Sequence, residues 1–294
     1  MHVYTKLKHR LPGESRLRIV LGRLRMLARL RSEPFDFVVL AKAGFDRQGL
    51  GFARQLKRRH VIGFAEPGAA APPVITIPVP GGKHSALHEV EVMQLLAQAM
   101  DVQDARGPLR VYPPRDRVEA WRTRLPALAA RRSRLWVGVH ISARETTRHW
   151  PVSHWIELIT RLCATADTGI VLLWAPGSAD DPRHPGDDEK AEEILRQAGR
   201  ASILPAATCS LSDLIAVLSL CDAFIGADGG AAHIAAALRL PMVALFENLE
   251  GKKRRWYPWR VPYELVAPAT RDISDITVEQ VLHAWQRLAP ERRP

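Results

Sequence analysis

From Arg134 onward the chain settles into a regular rhythm of short apolar runs and amphipathic segments. "LWVGVH", "GIVLLWAP", "ASILPA", "AFIGA" and "MVALF" have the length and composition of buried strands. Between them, "VSHWIELITRLCATA", "DDEKAEEILRQAG", "SLSDLIAVLSLC" and "GAAHIAAALRL" read as helices, and "VEQVLHAWQRLA" closes the chain as another. Such alternation predicts a parallel sheet with helices on both faces, an α/β fold. The first half is less regular. A helix is predicted from Arg16 to about Arg31, with Leu17, Val20, Leu21, Leu24 and Leu27 at helical spacing among basic residues. A buried strand follows in "FDFVVLAKAG", then a helix in "GLGFARQLKRRH" and a strand in "VIGF". "EPGAAAPPVITIPVPGGKHS" is a proline and glycine loop around one strand, and "ALHEVEVMQLLAQAM" is an amphipathic helix. "ARGPLRVYPPRDRV" holds three prolines and reads as a linker, and "EAWRTRLPALAARRS" as helical in parts. Two domains are therefore expected, 1–118 and 119–294.

Bulk composition narrows the class. A length of 294 residues accommodates two domains of ordinary size, and 47% hydrophobic with 25% charged residues fits a soluble globular protein. No apolar run reaches the roughly eighteen residues of a membrane span, and the N-terminal stretch shows no secretion signal. Cys163, Cys209 and Cys221 are odd in number and far apart, which suits reduced core thiols in a cytosolic protein better than a disulfide framework or metal site. The formal net charge of +11 calls for an anionic partner: nucleic acid, an anionic membrane face or a phosphorylated substrate. It thickens in "RLRIVLGRLRMLARLRS" and "EGKKRRWYPWR". Zinc spacings, RNP-like aromatics and homeodomain patterns are absent, so nucleic acid is not the expected partner. No G-x-G-x-x-G follows a strand, which argues against a dinucleotide-dependent dehydrogenase.

Ligands of open parallel sheets sit beyond the carboxyl ends of the strands. Three polar loops here occupy such ends: "GADGGAAH", "ISARETTRHWP" and "PGSADDPRHPGDD". In the first, Asp228 is placed to cap a helix, and Gly229 and Gly230 leave the backbone open to close approach. The unpaired N–H groups of that helix form an anion site, to which His233 adds a donor; a plain N-cap with a packed histidine explains the same residues. In the second loop Arg144 and Arg148 are candidates for phosphate oxygens, ahead of a helix start marked by Pro151. Thr146 and Thr147 either bond a phosphate or cap the turn, and Trp150 and Trp155 suit packing. In the third, Asp180 or Asp181 is a candidate for sugar hydroxyls, although acidic runs of this kind usually form solvated surface.

Together, "GVHISARETTRHWPVSHWIELITRL" and "LCDAFIGADGGAAHIAAALRLPMVALF" resemble the bacterial ADP-heptose:lipopolysaccharide heptosyltransferases, glycosyltransferase family 9. The family pattern of a strand, Asp-Thr/Ser-Gly-x-x-His and an alanine-rich helix stands here as Asp228-Gly229-Gly230-Ala231-Ala232-His233, followed by Pro241. Its basic residue before Trp-Pro stands as Arg148-His149-Trp150-Pro151, with His154-Trp155 in the next helix. The resemblance is specific from about Arg134 to Phe246 and looser before that. It implies a GT-B-like architecture of two Rossmann-like domains facing a cleft. It further implies inverting transfer of a heptose or related sugar from an ADP-type donor to a lipid A-core acceptor, without cofactor or essential metal. The donor site would be Asp228, Gly229, Gly230 and His233, with Arg148, and with Arg144, Thr147 and Asp180 around it. A cytoplasmic enzyme peripheral to an anionic inner-membrane surface is also implied, in keeping with the basic charge.

Three departures qualify these expectations. The chain starts beyond the family's first strand and acid-bearing glycine-rich loop, so the N-terminal domain is expected to lack a supersecondary unit on the order of 50 residues. The family's general base would go with that unit, leaving Asp46 as a bare candidate and an inactive donor-binding or scaffold protein as the alternative. The usual lysine before Trp-Pro is Arg148. The usual Gly-Pro-Thr after the last strand of the motif is replaced by Glu247-Asn248-Leu249.

Overall fold

The computed structural model describes residues 15–42, 47–66, 68, 70–81, 86–130, 134–164, 168–181, 185–199 and 203–290. The chain divides into two compact units, Met1–Gly107 and Pro108–Pro294.

The first unit runs α1 (Arg16–Ser32), β1 (Phe37–Val39), α2 (Arg47–Leu56), β2 (His60–Ala65), β3 (Ile77–Pro80) and α3 (Glu89–Gln98). Its strands form a parallel sheet in the order β1-β2-β3. Ile62 and Val79 on the sheet pack with Leu96 of α3. A capping box fixes where α3 begins: His88 Nδ1 accepts from the Val90 N–H and Glu91 Oε2 from the His88 N–H. In α1 the buried positions are Ile19 and Leu27, whereas Leu17, Val20, Leu21 and Leu24 are exposed. Of the five positions that the spacing in the sequence picked out, only Leu27 is buried.

The second unit opens with α4 (Arg115–Arg124) and α5 (Pro126–Ala130), then alternates strand and helix. The order is β4 (Leu135–His140), α6 (Val152–Cys163), β5 (Thr168–Trp174), α7 (Asp188–Gln197), β6 (Ile203–Ala207), α8 (Leu211–Leu218) and β7 (Ala223–Ala227). It continues with α9 (Gly230–Ala237), β8 (Met242–Leu245), α10 (Glu250–Trp256), β9 (Tyr263–Val266) and α11 (Val278–Leu288). The six-stranded sheet has the order β6-β5-β4-β7-β8-β9 and is parallel throughout. Side chains alternate between two cores. Val137, Val139, Ile170, Leu172, Ile225 and Val243 face one, with Trp155, Leu158 and Val281. Trp136, Val171, Leu173, Phe224, Met242 and Ala244 face the other, with Ala216, Ala231 and Ala235. Helices covering both faces explain why these strands read as unbroken apolar runs.

The expected α/β class with parallel sheets is thus what the chain adopts. α4 belongs to the second unit: Trp121 lies in its core and donates from Nε1 to Asp213 Oδ1 at 3.2 Å. A division at 118/119 would cut α4 in two, and the prolines that read as a linker are followed by helix from Arg115. β9 and α10 had no strand or helix signal. β9 is a partly exposed edge of four residues, and α10 was read as a basic loop.

The order of strands sets the place of the site. From β4 the chain moves out through β5 to β6, then returns to the other side of β4 as β7 and moves outward again. The segments leaving β4 and β7 therefore diverge from adjacent strand ends, the switch point at which open parallel sheets bind their ligands. The strands themselves are held closely: Trp136 lies opposite Gly169 in the register, and a Cβ on Gly169 would sit 2.4 Å from its ring. Because Trp136 is buried in a packed core, Gly169→Ala is expected to cost about 2 kcal/mol, lowering the urea midpoint of unfolding. An unchanged midpoint would show that the ring moves freely.

Candidate active site

At the end of β7 the Asp228 N–H donates to the Leu245 carbonyl at 2.8 Å, keeping the chain in register with β8 before it turns into α9. Ala231, Ala232, Ala235 and Ala236 are buried, so small side chains seat this helix close on the sheet. Its N-cap is Gly229, and no side chain caps it. Asp228 is therefore not the cap that its position in the sequence indicated; its carboxylate lies 3.6 Å from Arg148 Nη1 instead. A Cβ on Gly230 would meet nothing within 4 Å, and one on Gly229 only the Ala227 carbonyl at 3.9 Å. The space beside Gly230, at the positive end of the helix dipole, is therefore open. His233 sits in this turn with its ring 5.5 Å from that of Trp256 on α10. Burial lowers its pKa; Asp228 opposes the shift and Arg148 adds to it, so the imidazole is neutral at pH 7.

Beyond β4 the chain makes a 3-10 turn, Thr146–Arg148, before α6. Its far end is anchored by packing. Trp150 stands edge-on to Trp155 at 4.7 Å and donates from Nε1 to the Ile276 carbonyl at 2.8 Å. The His149 ring is 2.8 Å from the Ala143 carbonyl, closing the loop on itself. Between these anchors, Arg148 reaches across the switch point. Its Nη1 donates to the Asp228 carbonyl at 3.1 Å and its Nε to Glu247 Oε2 at 3.0 Å. Nη2 has no hydrogen bond to a described residue.

Glu247, at the end of β8, is only 1% exposed and is the hub of the cluster. Besides Arg148 it accepts from Thr147 Oγ1 at 2.8 Å, pairs with Lys252 of α10, and has Arg271 Nε at 3.6 Å. Burial acts to raise its pKa, but hydrogen bonds from Lys252, Thr147 and Arg148 and the charge of Lys252 outweigh it and bring it to about 2. Asp228 behaves oppositely. Burial raises its pKa against the pull of Arg148, His233 and Lys252, and the nearby Glu247 adds to the rise.

Of the residues singled out in the sequence, Thr147, Arg148, Asp228, Gly229, Gly230 and His233 are gathered around the α9 pole. Arg144 and Asp180 are both exposed, and neither is bonded to the Arg148–Glu247 cluster among the described residues. Asp180 lies beyond β5, on the side of β4 away from β7. One acid beside that loop is structural: Asp188 accepts from Trp174 Nε1 at 2.7 Å and from the Gly177 N–H at 2.9 Å, so it is a clasp rather than solvated surface. Asp46 lies outside the described residues. The sequence reading missed Glu247, Lys252 and Arg271. The available signal was a carboxylate directly after a fully apolar strand, at the rim where strands end.

The two carboxyl shifts give stability effects of opposite sign. An unfolded-state glutamate titrates near 4.5 and Glu247 near 2, so its stabilising contribution is complete above pH 4.5 and is lost as pH falls toward 2. Asp228, with a raised value, favours the fold most when protonated and loses that contribution as pH rises past its folded pKa. Urea midpoints measured from pH 2 to 5 should therefore fall more steeply with acid for wild type than for Glu247→Gln. Parallel curves would contradict the assignment.

The profile of glycosyltransferase family 9 (heptosyltransferase) matches residues 23–280. Lipopolysaccharide heptosyltransferase 1 of Pseudomonas aeruginosa is 27% identical over 231 residues, covering 76% of this chain and 57% of that protein. Lipopolysaccharide heptosyltransferase 1 of Escherichia coli K12 is 30% identical over 110 residues, 37% of this chain and 31% of that protein. The chain thus spans little more than half of the Pseudomonas relative. Among solved structures, a family 9 glycosyltransferase from Veillonella parvula superposes with a TM-score of 0.75 at 14% identity, covering 94% of this chain and 80% of that one. The E. coli heptosyltransferase WaaC with ADP superposes at 0.66 and 19% identity, covering 92% and 78%. These likenesses support the GT-B-like fold class. With its profile match across most of its length, the chain belongs to glycosyltransferase family 9.

Proposed function

We propose that this chain is a glycosyltransferase that binds an ADP-type nucleotide sugar and moves a heptose, or a related sugar, to a lipopolysaccharide core acceptor. The observation that carries this reading is the uncapped, open pole of α9 beside Arg148 at the switch point of the sheet. A nucleoside diphosphate carries its charge on a compact group that matches such a pole. Relatives support the choice of nucleotide: one solved WaaC carries ADP and another ADP-2-deoxy-2-fluoro heptose.

In this reading the acceptor hydroxyl attacks the anomeric carbon from the side opposite the diphosphate, inverting that centre and giving up its proton to solvent. The bond from the anomeric carbon to the diphosphate oxygen breaks, and the leaving oxygen takes the electron pair. Negative charge grows on that oxygen as it departs. First-turn N–H groups at Gly230 and Ala231, the Nη2 edge of Arg148 and the neutral imidazole of His233 are the donors available to hold it. These groups neutralise the leaving diphosphate without an essential metal. A formal net charge of +11 supports work at the cytoplasmic face of an anionic membrane, from its surface. No helix among the described residues is long and apolar enough to cross a bilayer.

Titration calorimetry with ADP, other nucleoside diphosphates and NAD, paired with a heptose-transfer assay on lipid A-core, tests the reading. ADP should bind, and Arg148→Ala should weaken it by about 10- to 100-fold, as expected for loss of a charge-assisted contact to phosphate. Absence of binding by any nucleoside diphosphate would overturn the proposal. ADP binding with no transfer would identify a donor-binding protein of the same fold instead.

A further inference from the structure

Glu247 has no counterpart in the Gly-Pro-Thr pattern that the resemblance supplies for this position, and its surroundings are unusual for a strand end. A carboxylate that is 1% exposed is costly to bury unless it is paired and hydrogen-bonded. Here Thr147 and Arg148 come from the turn after β4, Lys252 from α10, and Arg271 from the segment after β9. Three separate parts of the rim thus converge on one anion supplied by the protein itself.

That anion changes what the site offers to an incoming one. Arg148 spends Nε on Glu247 and Nη1 on the Asp228 carbonyl, so its Nη2 is the part left to a ligand. Lys252 likewise spends its ammonium on Glu247. Arg148, Lys252 and Arg271 bring three positive charges, and Asp228 and Glu247 two negative ones, for a balance of +1. Without Glu247 the balance would be +2. Arg148, Lys252 and Glu247 act at the α9 pole, since the ionisation of Asp228 beside it responds to each of them.

We propose that Glu247 is a positioning residue and built-in counter-charge that fixes Arg148 and Lys252 at the rim while cancelling part of their charge, and so sets how tightly a nucleoside diphosphate is held. The proposal rests on the donor-binding reading and deepens it. A site of this kind holds the diphosphate in an ordered cradle yet lets it leave once the sugar has gone. Glu247 touches no reacting atom in this account; it acts through the cations it orients.

Removing the two halves of one ion pair separately tests the idea. Glu247→Gln keeps the shape but frees positive charge, so ADP should bind on the order of five- to tenfold tighter in calorimetry. Lys252→Met removes positive charge and leaves the carboxylate, so ADP should bind weaker by a similar factor, about five- to tenfold. Both variants break the same pair, and a merely structural role would move ADP affinity in the same direction in both, or in neither. Either of those results overturns the proposal. Thermal melting is recorded alongside; if Glu247→Gln does not fold, unchanged or tighter ADP binding by Lys252→Met overturns it alone. Failure of the wild-type protein to bind ADP would strike the donor-binding reading itself, a result distinct from all of these.

Discussion

The guanidinium of Arg148 holds the rim of the second unit together. It starts from the turn after β4, bonds the carbonyl of Asp228 after β7, and bonds the carboxylate of Glu247 after β8. Three adjacent strands of a parallel sheet end at this group, and its position fixes the distance between their loops. A lysine would supply the charge without the planar fork that reaches two acceptors in set directions. The exchange of lysine for arginine relative to the family pattern therefore goes with the appearance of a second acceptor, Glu247, for the added donors to meet.

Electrostatics in the cluster depend on that arrangement. Glu247 stays ionised because its hydrogen bonds outweigh the cost of burial, while Asp228, with a carboxylate 3.6 Å from the same arginine, is pushed toward its neutral form. His233 is kept neutral by burial and by Arg148, opposed by Asp228. The result is a graded set of charges beside an uncapped helix start. The proposed donor site would receive an anion through backbone N–H groups and a single arginine edge rather than through a free cluster of cations.

Much of this was legible in the chain itself. β4 and β7 were read at their observed limits, because both are buried on two faces and their apolar runs stop sharply at polar loops. The Asp-Gly-Gly…His stretch and the Arg148 turn stood out as polar loops at the carboxyl ends of such strands, where parallel sheets bind ligands. What escaped was tertiary in origin. Asp228 has the composition of an N-cap, yet Arg148 claims the region and Gly229 takes the cap position. Glu247 and Lys252 are five residues apart and look like an ordinary acidic and basic scatter until the turn between β8 and α10 pairs them. α1 misled in another way: its apolar residues cover one broad arc of the helix, and spacing cannot say which of them are buried. The edge strand β9 carried too little burial to leave a pattern.

A crystal structure of the protein with ADP bears most directly on the central claim, that the α9 pole and Arg148 together cradle a diphosphate. The account predicts phosphate oxygens about 3 Å from the backbone nitrogens of Gly230 and Ala231 and from Arg148 Nη2, with the Glu247 pairing intact. A diphosphate seated elsewhere, with that pole left bare, would contradict it.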